Sequence, residues 1–201
     1  MVRVITGTAK GRRLLSVPGT GTRPVTDRVK ESLFDILGAD VQESTWLDLF
    51  AGTGSIGIEA LSRGARHAVF IDKAHQAVNT VRRNLEMTGF TAQSELIRGD
   101  ALRYIAQAAP GLQFDYIYVA PPQYEGLWAT TLRALDERAI ADRQLLAPEG
   151  LVIVQIHPKE FTAVRLVTLE LLSERRYGST LLLFYGAKDT GPVEESDAAG
   201  R

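Results

Sequence analysis

Two periods of apolar residues divide this chain. Short β-type runs stand at 46–50, 67–71, 94–98, 114–119 and 151–156. Between them apolar residues recur every three or four positions, the spacing of a helix with one buried face. Positions 27–37 read as such a helix, with Val29, Leu33, Ile36 and Leu37 inward, Thr26 as its cap and Gly38 as its stop. Helices are also predicted over 55–63, ended by Gly64, and over 74–88, with Ala74, Val78, Val81 and Leu85 in phase before Gly89. A short helix runs to 108 and helical spacing fills 126–146; two more strands, 166–173 and 180–185, have only 174–179 between them.

Strand alternating with helix predicts a parallel sheet, and the last two strands, joined without a helix, must be antiparallel. Near the start, β-type residues at 3–8 and 14–17 flank Lys10-Gly-Arg-Arg, which predicts a small hairpin outside the main sheet, ending at Pro18-Gly19. At 201 residues the chain suffices for one domain with a full core. The absence of cysteine excludes disulfides, thiolate metal sites and cysteine nucleophiles, and is compatible with a cytoplasmic address. No apolar run approaches a membrane span, and the first residues are too short for a secretory h-region, so a soluble chain is expected.

Formal net charge is only −1, which argues against a protein that coats nucleic acid. Its distribution is lopsided. Up to position 30 stand Arg3, Lys10, Arg12, Arg13, Arg23, Arg28 and Lys30 against the single acid Asp27. A nucleic-acid footprint confined to one end fits that pattern, and so does a solvated arm. Positions 188–201 are acidic, rich in Gly and Ala and without an apolar face, so disorder is expected there.

Candidate chemistry begins at the turn after the first main strand. Gly52, Gly54 and Gly57 let the backbone turn, approach a ligand and pack the next helix on its strand. Asp72 closes the second strand, where a bound nucleoside presents its ribose hydroxyls. Asp48 lies within the first strand. A carboxylate there would crowd the pyrophosphate of NAD but suits a positive group such as the ammonium of a methionine moiety. Asp48-Leu-Phe-Ala-Gly-Thr-Gly therefore resembles the first motif of class I S-adenosylmethionine (SAM) methyltransferases. That resemblance places Asp48, Phe50, Ala51, Gly52, Thr53 and Gly54 at the cofactor, with Asp72 and Lys73 on the ribose and Asp100 and Ala101 at the adenine. Asp100 is equally a helix cap for the segment it precedes.

After the fourth strand, methyltransferases acting on exocyclic base amines carry (Asp/Asn)-Pro-Pro-(Tyr/Phe). The amine is a poor nucleophile because its lone pair is delocalised into the ring. Two acceptors that take its N–H protons favour a pyramidal nitrogen aimed at the methyl, and the aromatic stacks on the extruded base. Here the residues are Ala120, Pro121, Pro122 and Gln123, with Tyr124 one position late: the side-chain acceptor is missing. Residues 3–14, 23–34, 48–65 and 176–180 together resemble the RsmD family of bacterial 16S ribosomal RNA guanine-N2 methyltransferases, a resemblance that covers residues 2 to about 187 and from which Ala120 departs.

The resemblance implies an α/β, Rossmann-like class I SAM methyltransferase fold: a mostly parallel seven-stranded sheet ending in an antiparallel strand pair, with a small N-terminal β-hairpin extension. It divides the chain into a basic arm (1–24), a methyltransferase domain (25–187) and an acidic tail (188–201). It implies SAM as cofactor, no metal, 16S rRNA or a 30S particle as partner, a monomer in the cytoplasm, and RNA contacts from Lys10, Arg12, Arg13, Arg23, Thr26 and Arg28. Two rivals stay open: an RNA-binding protein that kept the SAM pocket but lost turnover, prompted by Ala120, and an NAD-linked oxidoreductase, which Asp48 and the C-terminal strand pair oppose. His67, His75 and His157 lack metal spacing and read as surface or strand-end residues; Trp46, Phe70 and Trp128 read as packing.

Overall fold

The computed structural model describes residues 2–19, 25–141 and 144–188. Residues 20–24, Arg23 among them, and those from 189 on, where an acidic tail is expected, lie outside the described residues. A two-stranded antiparallel hairpin, β1 (Val2–Arg3) and β2 (Arg13–Leu14), stands apart from the main sheet. Helix α1 (Asp27–Leu37) then starts on the Thr26 hydroxyl, which accepts from the Val29 N–H, and stops at Gly38. The repeating unit follows: β3 (Thr45–Asp48), α2 (Ser55–Ser62), β4 (His67–Asp72), α3 (His75–Thr88), β5 (Ser94–Arg98), α4 (Ala101–Gln107), β6 (Phe114–Val119), α5 (Leu127–Ile140) and β7 (Leu146–Ile156). Strands β8 (Leu169–Tyr177) and β9 (Thr180–Ala187) complete it.

The seven strands lie in the order β5-β4-β3-β6-β7-β9-β8, and β9 is antiparallel to both neighbours. The sheet is the one expected. Strand order reverses between β3 and β6, which opens a crevice above their carboxyl ends.

Two apolar layers flank the sheet. One contains Trp46, Phe70 and Phe184 with α1 and α2; Trp46 stacks on Phe34 at 5.5 Å and tilts onto Tyr116 at 4.6 Å. The other contains Leu47, Ile117 and Val154 with α4 and α5, including buried Trp128. Gly57 is required for the first layer: a Cβ there would lie 2.4 Å from the Phe70 ring.

Several expected bounds move. Ile36 is exposed rather than inward, and Ala74 is the residue before α3 rather than part of its buried face. Strand β3 ends at Asp48, not at 50. Helix α5 stops at Ile140 and β7 begins at Leu146, so the expected turn at 148–150 lies inside a strand. Phe114 faces Leu146 and Tyr116 faces Leu151, so residues 147–150 bulge out of the ladder. Strand β8 starts at Leu169 because Asp136 of α5 accepts from the N–H groups of Val167, Thr168 and Leu169 at 2.7, 2.7 and 3.1 Å.

The hairpin is docked on the body. Val2, Val4, Ala9 and Leu14 are buried in the layer that holds α1 and α2. Glu59 of α2, fully buried, accepts from Ile5 N–H at 2.8 Å, Thr6 N–H at 2.9 Å and Arg63 Nε at 3.0 Å, and pairs with Lys30 Nζ at 3.2 Å. Lys30, counted above among the basic residues of the first thirty positions, is 1 % exposed and pairs with Glu59. Asn84 of α3 ties the far end of the hairpin: it accepts from Leu15 N–H at 2.7 Å and donates to Leu15 and Thr53 carbonyls at 3.1 and 2.8 Å.

Candidate active site

The carboxyl ends of β3, β4, β5, β6 and β7 border one cavity of about 570 Å³, a size suited to a nucleoside-sized ligand. Phe50 and Gly52 line it from the turn after β3, Asp72 and Lys73 from the end of β4, Asp100 and Ala101 from the start of α4. Ala120, Pro121, Pro122 and Gln123 line its other side. The structure thus gathers most of the expected cofactor residues and the expected catalytic turn around one space.

Asp72 shapes the glycine turn. Its Oδ2 accepts from the Gly52 N–H at 2.9 Å and its Oδ1 from the Ala74 N–H at 2.8 Å. Gly52 takes φ +54° and Gly54 φ +75°, conformations that a side chain rarely adopts, and Gly54 precedes α2. Asp100 caps α4 by accepting from the Arg103 N–H at 3.0 Å, and it lines the cavity as well; both of its expected roles are compatible with that position.

Four expected cofactor residues stand behind the wall. Ala51 donates its N–H to the Ile71 carbonyl, the Thr53 carbonyl accepts from Asn84, and a Cβ on Gly54 would lie 3.2 Å from the Val81 side chain. Asp48 is 2 % exposed, and its Oδ1 has no hydrogen-bond partner among the described residues. Burial pushes its carboxyl up to about 7; the Phe50 backbone N–H opposes that rise and the Asp72 charge adds to it. Beside it, burial and the Asp48 charge raise the Tyr118 phenol well above its ordinary value. The Tyr118 hydroxyl donates to Gln155 Oε1 at 2.6 Å.

Tyr124 lies just past the cavity lining, 66 % exposed and at φ +64°. Gln123 is exposed at the mouth, while Ala120 packs partly against the core beneath. On the hairpin side, Lys10, Arg12, Arg13 and Arg28 are exposed; Arg12 Nη1 donates to the Met87 carbonyl at 2.6 Å, and Arg3 pairs with Asp27 at 2.8 Å. Thr26 is exposed but its hydroxyl is engaged as the cap of α1.

Val17 and Gln155 are among the lining residues that were not anticipated. Val17, on the return leg of the hairpin, reaches the cavity. Gln155 does so from β7, and the sequence held a signal for it: it is the one polar residue in the run 151–156, near the end that carries ligands. Among the described residues no group of His, Asp and Glu could hold a metal, and no helix is long and apolar enough to cross a membrane.

Comparison with known proteins agrees with this geometry. The family model described as "Conserved hypothetical protein 95" matches residues 2–186. A Bacillus subtilis protein named "Putative rRNA methyltransferase YlbH" is 38 % identical over 186 residues, 92 % of this chain and 98 % of that protein. The "Ribosomal RNA small subunit methyltransferase D" of Haemophilus influenzae is 33 % identical over 184 residues, 88 % of this chain and 93 % of its own length. The solved structure titled "Putative methyltransferase yhhF from Escherichia coli" superposes with a TM-score of 0.77 at 31 % identity, covering 93 % of this chain and 98 % of that one. On the match of the family model over residues 2–186 and the identity of these relatives over most of the chain, this chain belongs to the conserved hypothetical protein 95 family, the RsmD family that its sequence resembles.

Proposed function

We propose that this protein transfers the methyl group of SAM to the exocyclic N2 of a guanine in 16S rRNA. The observation that carries the reading is the meeting, around one cavity, of the acid-edged nucleoside site with the Ala120 to Gln123 turn. Names of relatives 33–38 % identical over most of the chain support rRNA as substrate.

The residues present fit SAM. A buried carboxyl with an unpaired oxygen beneath the glycine turn suits a ligand that brings a positive group, which would favour the charged form of a carboxyl that burial pushes up to about 7. Asp48 would face the methionine ammonium, Asp72 and Lys73 the ribose, and Asp100 with Ala101 the adenine. An NAD pyrophosphate brings only negative charge to that turn, which disfavours the oxidoreductase reading. When bound, SAM would supply an electrophilic methyl; the C–S bonding pair stays with sulfur, and the methylated nitrogen gives up one proton to solvent.

The chain's own work is to hold the amine. With a methyl side chain at position 120, the carbonyls of the turn and the Gln123 amide oxygen are the acceptors for its two protons. Preorganised acceptors of this kind stabilise the developing charge on nitrogen without a general base of matched pKa. The exposed cations Lys10, Arg12, Arg13 and Arg28, with Arg23 beyond the described residues, would grip RNA phosphates, which position the strand without reading its sequence. In this reading 1–24 is the RNA arm, 25–187 the catalytic domain, 188–201 an acidic tail, and the protein works as a cytoplasmic monomer. Transfer of tritium from labelled SAM to 30S particles tests it. Labelled rRNA with the mark on guanine N2 is expected; label on another base, or none, would overturn it.

A further inference from the structure

We infer that Glu160 is the positioning residue that sets Tyr124 at the mouth of the cavity, and that His157 backs its ring, so that the three form a shelf for an unstacked base. The inference rests on the methyl-transfer reading above and adds two residues that the sequence reading had set aside or passed over.

Glu160 uses both carboxylate oxygens on main-chain donors. Its Oε1 accepts from the Tyr124 N–H at 2.6 Å and its Oε2 from the His157 N–H at 2.9 Å. One side chain therefore joins the end of the catalytic turn to the segment that follows β7. The His157 ring in turn accepts from the Lys159 N–H at 3.2 Å through Nδ1, which closes a capping box over Pro158–Glu160. That segment is anchored from below, because the next residue, Phe161, stacks on buried Trp128 of α5 at 6.3 Å.

Tyr124 adopts φ +64°, which a residue with a bulky side chain seldom does without outside restraint. The bond to Glu160 is that restraint. In the resulting pose the Tyr124 ring lies 5.8 Å from the His157 ring, tilted by 42°. One side of the tyrosine is thus covered by imidazole, while 66 % of the residue stays exposed next to Gln123 and Pro122, which line the cavity. Rings 5.8 Å apart and tilted leave no slot between them, so a base would stack on the outer face of Tyr124. The displacement of the aromatic by one position from the usual tetrad acquires a cause: the left-handed turn at 124 re-aims the ring, and Glu160 holds the turn.

The test is single-turnover methyl transfer from labelled SAM to 30S particles, over a range of particle concentrations, with SAM affinity and thermal unfolding measured on the same proteins. Glu160→Ala should slow transfer at saturating particles by roughly ten- to a hundredfold, the scale of a small misplacement of reacting groups, with SAM affinity unchanged. Glu160→Gln, which keeps one acceptor oxygen, should fall between. His157→Ala should raise the particle concentration needed for half-maximal rate, and His157→Phe should restore it, since only a flat ring is required. Wild-type kinetics in Glu160→Ala and His157→Ala would overturn the inference, as would a loss of transfer that merely tracks lost SAM affinity. Absence of transfer by the wild type would instead overturn the methyl-transfer reading itself.

Discussion

Asp72 accepts the Gly52 N–H at 2.9 Å, so the acid at the end of β4 builds the turn after β3 in the same act that aims it into the cavity. A ligand's ribose would meet a carboxylate whose orientation is already fixed by two backbone donors. Asp72→Ala should therefore weaken SAM binding by about 1–3 kcal/mol, through lost hydroxyl contacts and a looser turn. Calorimetry on the variant, with its circular dichroism unchanged, checks this; equal affinity would remove Asp72 from the ribose.

Asp48 predicts a pH dependence with a definite sign. Its carboxyl goes from 3.8 in the ordinary state to about 7 when folded, so between those values the native state holds a proton that the unfolded chain has released. Stability then falls as pH rises through that window, at up to about 1.4 kcal/mol per unit, and levels off above it. Urea midpoints of wild type and Asp48→Asn should diverge from pH 4 upward, the variant being the more stable near neutrality. A cation seated beside Asp48 favours its charged form, so SAM affinity should rise over the same window in the wild type and not in the variant.

For the hairpin, exposure rather than charge count selects the residues. Lys30 is buried against Glu59 and Arg3, though exposed, is paired with Asp27; Lys10, Arg12, Arg13 and Arg28 are exposed. If Arg12 and Arg13 each touch a phosphate, replacing both with Ala should reduce the salt slope of RNA binding by about 1.4, at roughly 0.7 per contact on single strands. SAM affinity should not change. An unaltered slope would make the arm a solvated surface.

Ala120 makes a quantitative prediction about rate. One missing acceptor in the transition state, about 2–3 kcal/mol, slows transfer by one to two orders of magnitude and does not abolish it. Single-turnover transfer should be equal or faster in Ala120→Asp and clearly slower in Gln123→Ala. Transfer that appears only in Ala120→Asp would identify the wild type as a binding protein that has lost turnover.

Local chemistry made most of the frame legible: caps at Thr26, glycine stops at 38 and 89, and the change of period from helix to strand. Where the reading failed, the deciding contacts are distant in sequence. The start of β7 was absorbed into a helix because Leu145 and Leu146 keep helical spacing, while their packing partners lie on β6 and α5. The delayed start of β8 depends on Asp136, about thirty positions upstream. In the site, the acids and the 120–123 turn were readable because sheet topology sends every parallel strand's carboxyl end to one edge. Glu160 and Asn84 were not, since each acts on backbone groups that only folding brings near.

The docking of the hairpin on Glu59 and Asn84 also bears on how the molecule could be divided. A break in the backbone between residues 19 and 25 would separate two lengths of chain that share one apolar layer. The shorter piece has no interior of its own. The longer one would keep a buried carboxylate deprived of the Ile5 and Thr6 donors. Neither is complete, and the contacts between them are specific, so the two pieces would suit a split protein: methyl transfer recovered on mixing would report the meeting of whatever each half carries.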